Sequence, residues 1–198
     1  MRKSVSLVAI CLVLFVFGLK VESEESLPPP LPPDSGTKTA LAAPVGTTPP
    51  APTREIPTRL SIPSIVLNTT VIAMGINKEG EMDVPSGRGK SVGWYKYGAA
   101  PGEVGSAVLD AHVYAAFSKL KNVQIGQDIY TSSPSGKKQH FKVTHSMIYK
   151  VGDVPRELLF NRQGGGKHLH LITCHGTFSK KMNTYTHRLI VYATLVEE

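Results

Sequence analysis

Three residues of this chain could together carry acyl-transfer chemistry. Cys174 ends an apolar run, Lys167-His168-Leu169-His170-Leu171-Ile172-Thr173-Cys174. The chain has two cysteines, and the other, Cys11, lies in an N-terminal apolar stretch. Cys174 therefore has no disulfide partner within its own domain. A strand that delivers one thiol to its end presents a nucleophile. His112 follows the run Ala107-Val108-Leu109-Asp110-Ala111, and Arg188 opens the run Arg188-Leu189-Ile190-Val191-Tyr192-Ala193. A thiol has a reference pKa of ~8.5, and nearby positive charge lowers it. His112 and Arg188 can both supply that charge. His112 can also protonate a leaving amine. Arg188, which does not deprotonate readily, suits holding a carbonyl or a developing oxyanion. Singly, each residue has a plainer reading: a buried small side chain, a structural histidine, a solvated arginine.

The elements that must position these residues are short and extended. From residue 54 onward there is little helical periodicity and many β-rich runs broken by Gly, Pro, Asn and Ser. The pattern predicts strands over 58–62, 69–74, 91–96, 106–112, 127–132, 139–149, 167–174 and 188–196. Turn signals separate them, including Asn77-Lys78-Glu79-Gly80, Pro101-Gly102-Glu103 and Ser132-Ser133-Pro134-Ser135-Gly136. Eight short strands in one small domain predict a mostly β fold, a closed eight-stranded barrel with short helices. Two helices are expected, over Tyr114–Lys121 with Phe117 and Leu120 inward, and over Pro155–Phe160 with Pro155 in the first turn.

Upstream, the composition changes twice. Residues 1–21 hold Met1-Arg2-Lys3 and then an uncharged stretch from Ser4 to Leu19, followed by Glu22, Glu24 and Glu25. The basic flank orients the N-terminus to the cytoplasm and the rest outside. No small-x-small cleavage site follows, so a membrane anchor is favoured over a cleaved signal segment. Residues 22–53 contain nine of the fifteen prolines and no aromatics. They read as a Pro-rich disordered linker that holds residues 54–198 away from the membrane. Residues 54–198 carry 18 Lys+Arg against 11 Asp+Glu. Export argues against nucleic acid as the partner of that positive charge and favours anionic wall polymer or phospholipid.

The strings and their order resemble the sortases, cysteine transpeptidases of Gram-positive surfaces. Their signature is a strand reading T-L-x-T-C, an upstream histidine after a small-residue strand end, and an arginine opening the last long strand. Here the chain reads His170-Leu171-Ile172-Thr173-Cys174, Asp110-Ala111-His112-Val113 and Thr186-His187-Arg188-Leu189-Ile190. Arg59-Leu60-Ser61-Ile62-Pro63, Val92-Gly93-Trp94-Tyr95 and Pro101-Gly102-Glu103 also fit, so the resemblance runs over 57–196. His170 replaces the first Thr of the cysteine motif, and Ala111 stands where Gly commonly precedes the histidine. The strings look most like class E and related class D or F enzymes.

The resemblance implies a function. Cys174 attacks the threonine carbonyl of a C-terminal sorting motif of LPxTG or LAxTG type, His112 protonates the departing amine, and Arg188 steadies the substrate backbone and oxyanion. A peptidoglycan precursor or a pilin lysine then resolves the acyl-enzyme. Thr173 is implied as a positioning or oxyanion-contacting residue. Val154, Leu158 and Leu159, in the loop before the cysteine strand, are implied as the apolar pocket for the motif's first side chain. The enzyme is expected to be a monomer, single-pass in the cell membrane with its catalytic domain extracellular. No cofactor or metal is expected, because the loop offers only Asp153 and Glu157 for calcium. Two other readings stand beside this one. One is a catalytically inactive sortase-like module that binds wall peptides or a surface partner. The other is a zinc-binding surface domain using His168, His170 and Cys174, which share a strand face.

Overall fold

The computed structural model describes residues 54–197, apart from positions 79, 88 and 162–164. The expected anchor (1–21) and the linker (22–53) lie outside the described residues. Among the described residues no helix is long and apolar enough to cross a membrane.

Among the described residues eight strands form: β1 (Arg59–Ile62), β2 (Leu67–Met74), β3 (Val92–Tyr95), β4 (Gly105–Asp110), β5 (Asp128–Ser132), β6 (Lys138–Lys150), β7 (Lys167–Ser179) and β8 (Thr184–Leu195). They close into a barrel in the order β1-β2-β3-β4-β7-β8-β6-β5. The β2·β3 and β4·β7 pairs are parallel, and the others are antiparallel. Leu60, Ile62, Trp94, Leu109, Phe141 and Leu171 fill the interior, all at most 2% exposed. Turn chemistry supports the hairpins. Gly136, at φ 83°, closes the β5–β6 turn, where a side chain would strain the backbone.

Alternation fails to hold on both faces of β4, β7 and β8, and this is informative. Inward residues join the main core, while Val108, Ile172, Ile190 and Tyr192 form a second cluster on the barrel's outside. A one-turn helix, α1 (Arg156–Leu159), covers it with Leu159. Pro155 stands at its cap rather than inside its first turn. A sheet covered on both faces reads as a nearly continuous buried run, which explains Leu169, Leu171 and Ile172, with the buried His170 between them.

Three expectations need correction. The segment 114–121 is not an α-helix. Its backbone makes i→i+3 bonds, from Ala115 N to His112 O and from Ser118 N to Ala115 O, and ends in a 3₁₀ turn over Leu120–Asn122. Phe117 and Leu120 are nonetheless buried. Cys174 does not end its strand, because β7 continues to Ser179, with a register shift between His175 and Phe178. Gly176, at φ 81°, sits in that irregularity, where a Cβ would collide with Thr186 and His187. Arg188 does not open its strand, since β8 starts four residues earlier at Thr184.

Candidate active site

The pairing of three strands determines which side chains meet. Cys174 is the direct antiparallel partner of Arg188, and Ile172 is the partner of Ile190. Directly opposed residues set their Cβ atoms roughly 4.5–5.5 Å apart. Across the parallel β4·β7 pair, Asp110 lies beside Ile172. By alternation Val108 and Asp110, Ile172 and Cys174, and Arg188 and Ile190 all face outward. The nucleophile candidate therefore stands at the end of the external apolar cluster.

His112 reaches this end of the sheet by a short, pinned path. The Ala111 N–H donates to Ile172 O at 3.3 Å, which continues the ladder past the end of β4. The Thr173 hydroxyl donates to Ala111 O at 2.7 Å. Both polar groups of Ala111 are thus tied to β7, and His112 follows directly. Its ring stacks on Tyr114, with centroids 4.8 Å apart and planes 10° from parallel. Thr173 is 1% exposed, on the interior side of β7. Its contact is with the backbone before His112.

Charge around the thiol is divided. Burial pushes the Cys174 pKa up, Arg188 pulls it down, and Asp110 and Glu81 push it further up. Cys174 is partly exposed. The Arg188 guanidinium is held along its own strand, Nη1 donating to Tyr185 O and His187 O (both 3.1 Å) and Nη2 to the Thr184 hydroxyl (3.0 Å). Among the described residues this leaves Nε–H and one Nη2–H for an incoming oxygen.

The expected pocket residues separate. Leu159 is 1% exposed and belongs to the external cluster, Val154 packs on that cluster half-buried, and Leu158 is 56% exposed. The floor leading away from Cys174 is more aromatic than the sequence suggested. Tyr149 is the β6 partner of Arg188, and its hydroxyl accepts from Tyr192 Oη at 3.2 Å. Tyr95 meets Phe160 edge-on at 5.1 Å. Ile190 and Tyr192 could have been found from parity with Arg188, but the cross-strand partner Tyr149 could not.

The zinc face is otherwise engaged. His170 is buried, and burial holds its pKa down to about 4. Its Nδ1–H donates to Leu159 O at 3.2 Å, tying α1 to β7. His168 donates from Nε2 to Gly165 O at 3.1 Å. Among the described residues no three His, Cys, Asp or Glu side chains converge as a metal site.

The chain belongs to the sortase family: the sortase domain matches residues 60–196. Solved structures share the fold. Sortase A from Corynebacterium diphtheriae aligns with TM-score 0.53 and 21% identity, over 73% of this chain and 62% of that one. Sortase C-1 from Actinomyces oris gives 0.54 and 23%, over 71% of each chain. Streptococcus agalactiae sortase C1 gives 0.52 and 25%, over 73% of this chain and 69% of that one. This chain thus spans less than two thirds of the C. diphtheriae protein. No curated protein matches it.

Proposed function

We propose that this protein is a membrane-tethered cysteine transpeptidase that cleaves a sorting motif of LPxTG or LAxTG type after its threonine and joins the new end to an amine. The observation that carries this reading is the direct pairing of Cys174 with Arg188, with His112 held at the head of the adjoining strand. The strings around His112 and Cys174 favour a class E sortase or a related class D or F enzyme. The uncharged stretch from Ser4 to Leu19 tethers it to the membrane with the barrel outside. Its clients are surface proteins bearing the motif, and its acceptors are peptidoglycan precursors or pilin lysines.

The chemistry runs in two halves. The Cys174 thiolate attacks the threonine carbonyl while Arg188 Nε–H and Nη2–H face the developing oxyanion. The C–N bond breaks as protonated His112 gives its proton to the departing amine. Cys174 then carries a thioester, and His112 is neutral. The acceptor ammonium sheds one proton to solvent and attacks. The C–N bond forms, the C–S bond breaks, and His112 takes the second proton. The thiolate and imidazolium are regenerated. The aromatic floor of Tyr95, Tyr149 and Phe160, with Val154 and Leu158 at its margin, seats the motif's apolar side chain. Thr173 holds the Ala111 carbonyl throughout.

The test uses the full chain in detergent with LPxTG and LAxTG peptides and hydroxylamine. Peptide hydroxamate is expected, with a thioester mass on Cys174 and no product from Cys174→Ala. If no peptide yields hydroxamate, the transpeptidase reading is wrong.

A further inference from the structure

Asp110 is a charged residue in the site that the two-step reaction above does not use. It is the last residue of β4 and faces outward one row from the Cys174–Arg188 pair, beside Ile172 and two residues before His112. It is half-buried. Among the described residues no Lys, Arg or His nitrogen lies within ion-pair distance of it. Arg188 is close enough to be felt electrostatically, yet its hydrogen bonds run to Thr184, Tyr185 and His187.

This placement is unfavourable in the resting enzyme on two counts. Burial desolvates the carboxylate, and the nearby Arg188 offsets this only in part, so its pKa is lifted to about 7. It also opposes ionisation of the thiol, as does Glu81 from the β2–β3 connection. An uncharged residue such as Val108, two positions earlier on the same face, would avoid both penalties. What the position lacks among the described residues is a cation in ion-pair contact, and the reaction delivers one. An acceptor amine of lysine type has a pKa of ~10.4 and arrives as ammonium.

We propose that Asp110 is the docking point for the ammonium of the incoming acceptor. This rests on the transpeptidase reading and adds to it a residue that selects cationic amines. Its carboxylate holds the ammonium at the outer end of the β4·β7 pair, next to the thioester carbonyl on Cys174 and within the field of Glu81. His112, at the same strand end, takes up the second proton as the amine attacks. The site thus has a division of labour: Arg188 faces the acyl oxygen, and Asp110 faces the nitrogen.

The experiment is a competition on the full chain at pH 7.5. One sorting peptide is offered hydroxylamine, which is uncharged, together with N-acetyl-lysine amide, which is cationic. The readout is the ratio of lysine adduct to hydroxamate, which does not depend on how much enzyme is folded. Asp110→Asn is expected to lower this ratio about tenfold, the effect of losing one partly desolvated charge pair. Asp110→Glu, which keeps the charge, is expected to restore most of it. An unchanged ratio in Asp110→Asn overturns the proposal while leaving the transpeptidase intact. So does a wild type that makes hydroxamate and no lysine adduct. A wild type that makes neither product overturns the transpeptidase reading, and this one with it.

Discussion

Cys174 sits between opposing charges, and its reactivity measures their balance. Arg188 across the strand favours the thiolate, while burial, Asp110 and Glu81 favour the thiol. Below its pKa, a thiol loses about tenfold in thiolate for each unit the pKa rises. At pH 8, Arg188→Met should therefore slow iodoacetamide alkylation of Cys174 several-fold, and Asp110→Asn should quicken it. Mass spectrometry of the Cys174 peptide measures both, and two changes of the same sign would refute the arrangement. Asp110 also bears on stability. It ionises near 7 in the fold against 3.8 when free. The fold therefore holds an extra proton between those values, and stability is lost as pH rises from about 4 through 7. Asp110→Asn removes that loss, so its melting temperature should exceed the wild type's at pH 8 and converge with it near pH 3. Calorimetry at the two pH values decides the matter.

At the scale of elements, the site is held by strands that depend on a few buried polar contacts. Thr173 fixes the carbonyl before His112 from inside the barrel. Thr173→Val keeps the shape and leaves that carbonyl without its donor. It should lower stability by about 1–2 kcal/mol and reduce turnover, while Thr173→Ser retains both. Denaturant melts with single-turnover acylation would separate the two effects. His170 ties α1 to β7 as a neutral ring. Its pKa is about 4 in the fold against 6.5 when free, so the unfolded chain gains a proton first as pH falls from 6.5 towards 4, and stability drops across that window. His170→Thr should flatten that acid limb in a melting-temperature profile.

These elements also mark what the sequence could disclose. All eight strands were legible, because apolar runs and turn residues alternate along the chain. The far half of β7 was not. Beyond Cys174 the β7–β8 hairpin is largely solvent-exposed, so His175–Ser179 shows no sidedness and Gly176 imitates a strand end. The segment after His112 has the helical spacing of Phe117 and Leu120 but folds as successive tight turns. Cys174, His112 and Arg188 were legible as residue types in order. Asp110 was not, because its meaning lies in a pairing with Ile172, 62 residues away, that the local string does not encode.

At the scale of the whole molecule, closure of the barrel makes the start of the domain as important as the strand ends that bring Cys174 and Arg188 together. β1 is four residues long, yet it pairs with β2 on one side and β5 on the other. Its Leu60 and Ile62 are fully buried, each contributing roughly 1.5–3 kcal/mol. Just upstream, Arg54 donates to Lys96 O at 3.1 Å, meets Glu103 at 3.2 Å and Gly98 O, and lies 5.0 Å over the Trp94 ring. It clamps the entering chain to the loop between β3 and β4. Removing β1 would expose the edges of β2 and β5 together and empty part of the core. Domains of this size are stable by about 5–15 kcal/mol in total, so that loss removes most of the margin. A chain beginning at Arg54 should melt cooperatively at the full chain's temperature. One beginning at Pro63 should show no cooperative transition by near-ultraviolet dichroism, and Arg54→Ala in the full chain should fall between them. If the chain lacking β1 still folds and acylates, then β5 and β2 must have found another partner, and closure through β1 is not what holds Cys174 opposite Arg188.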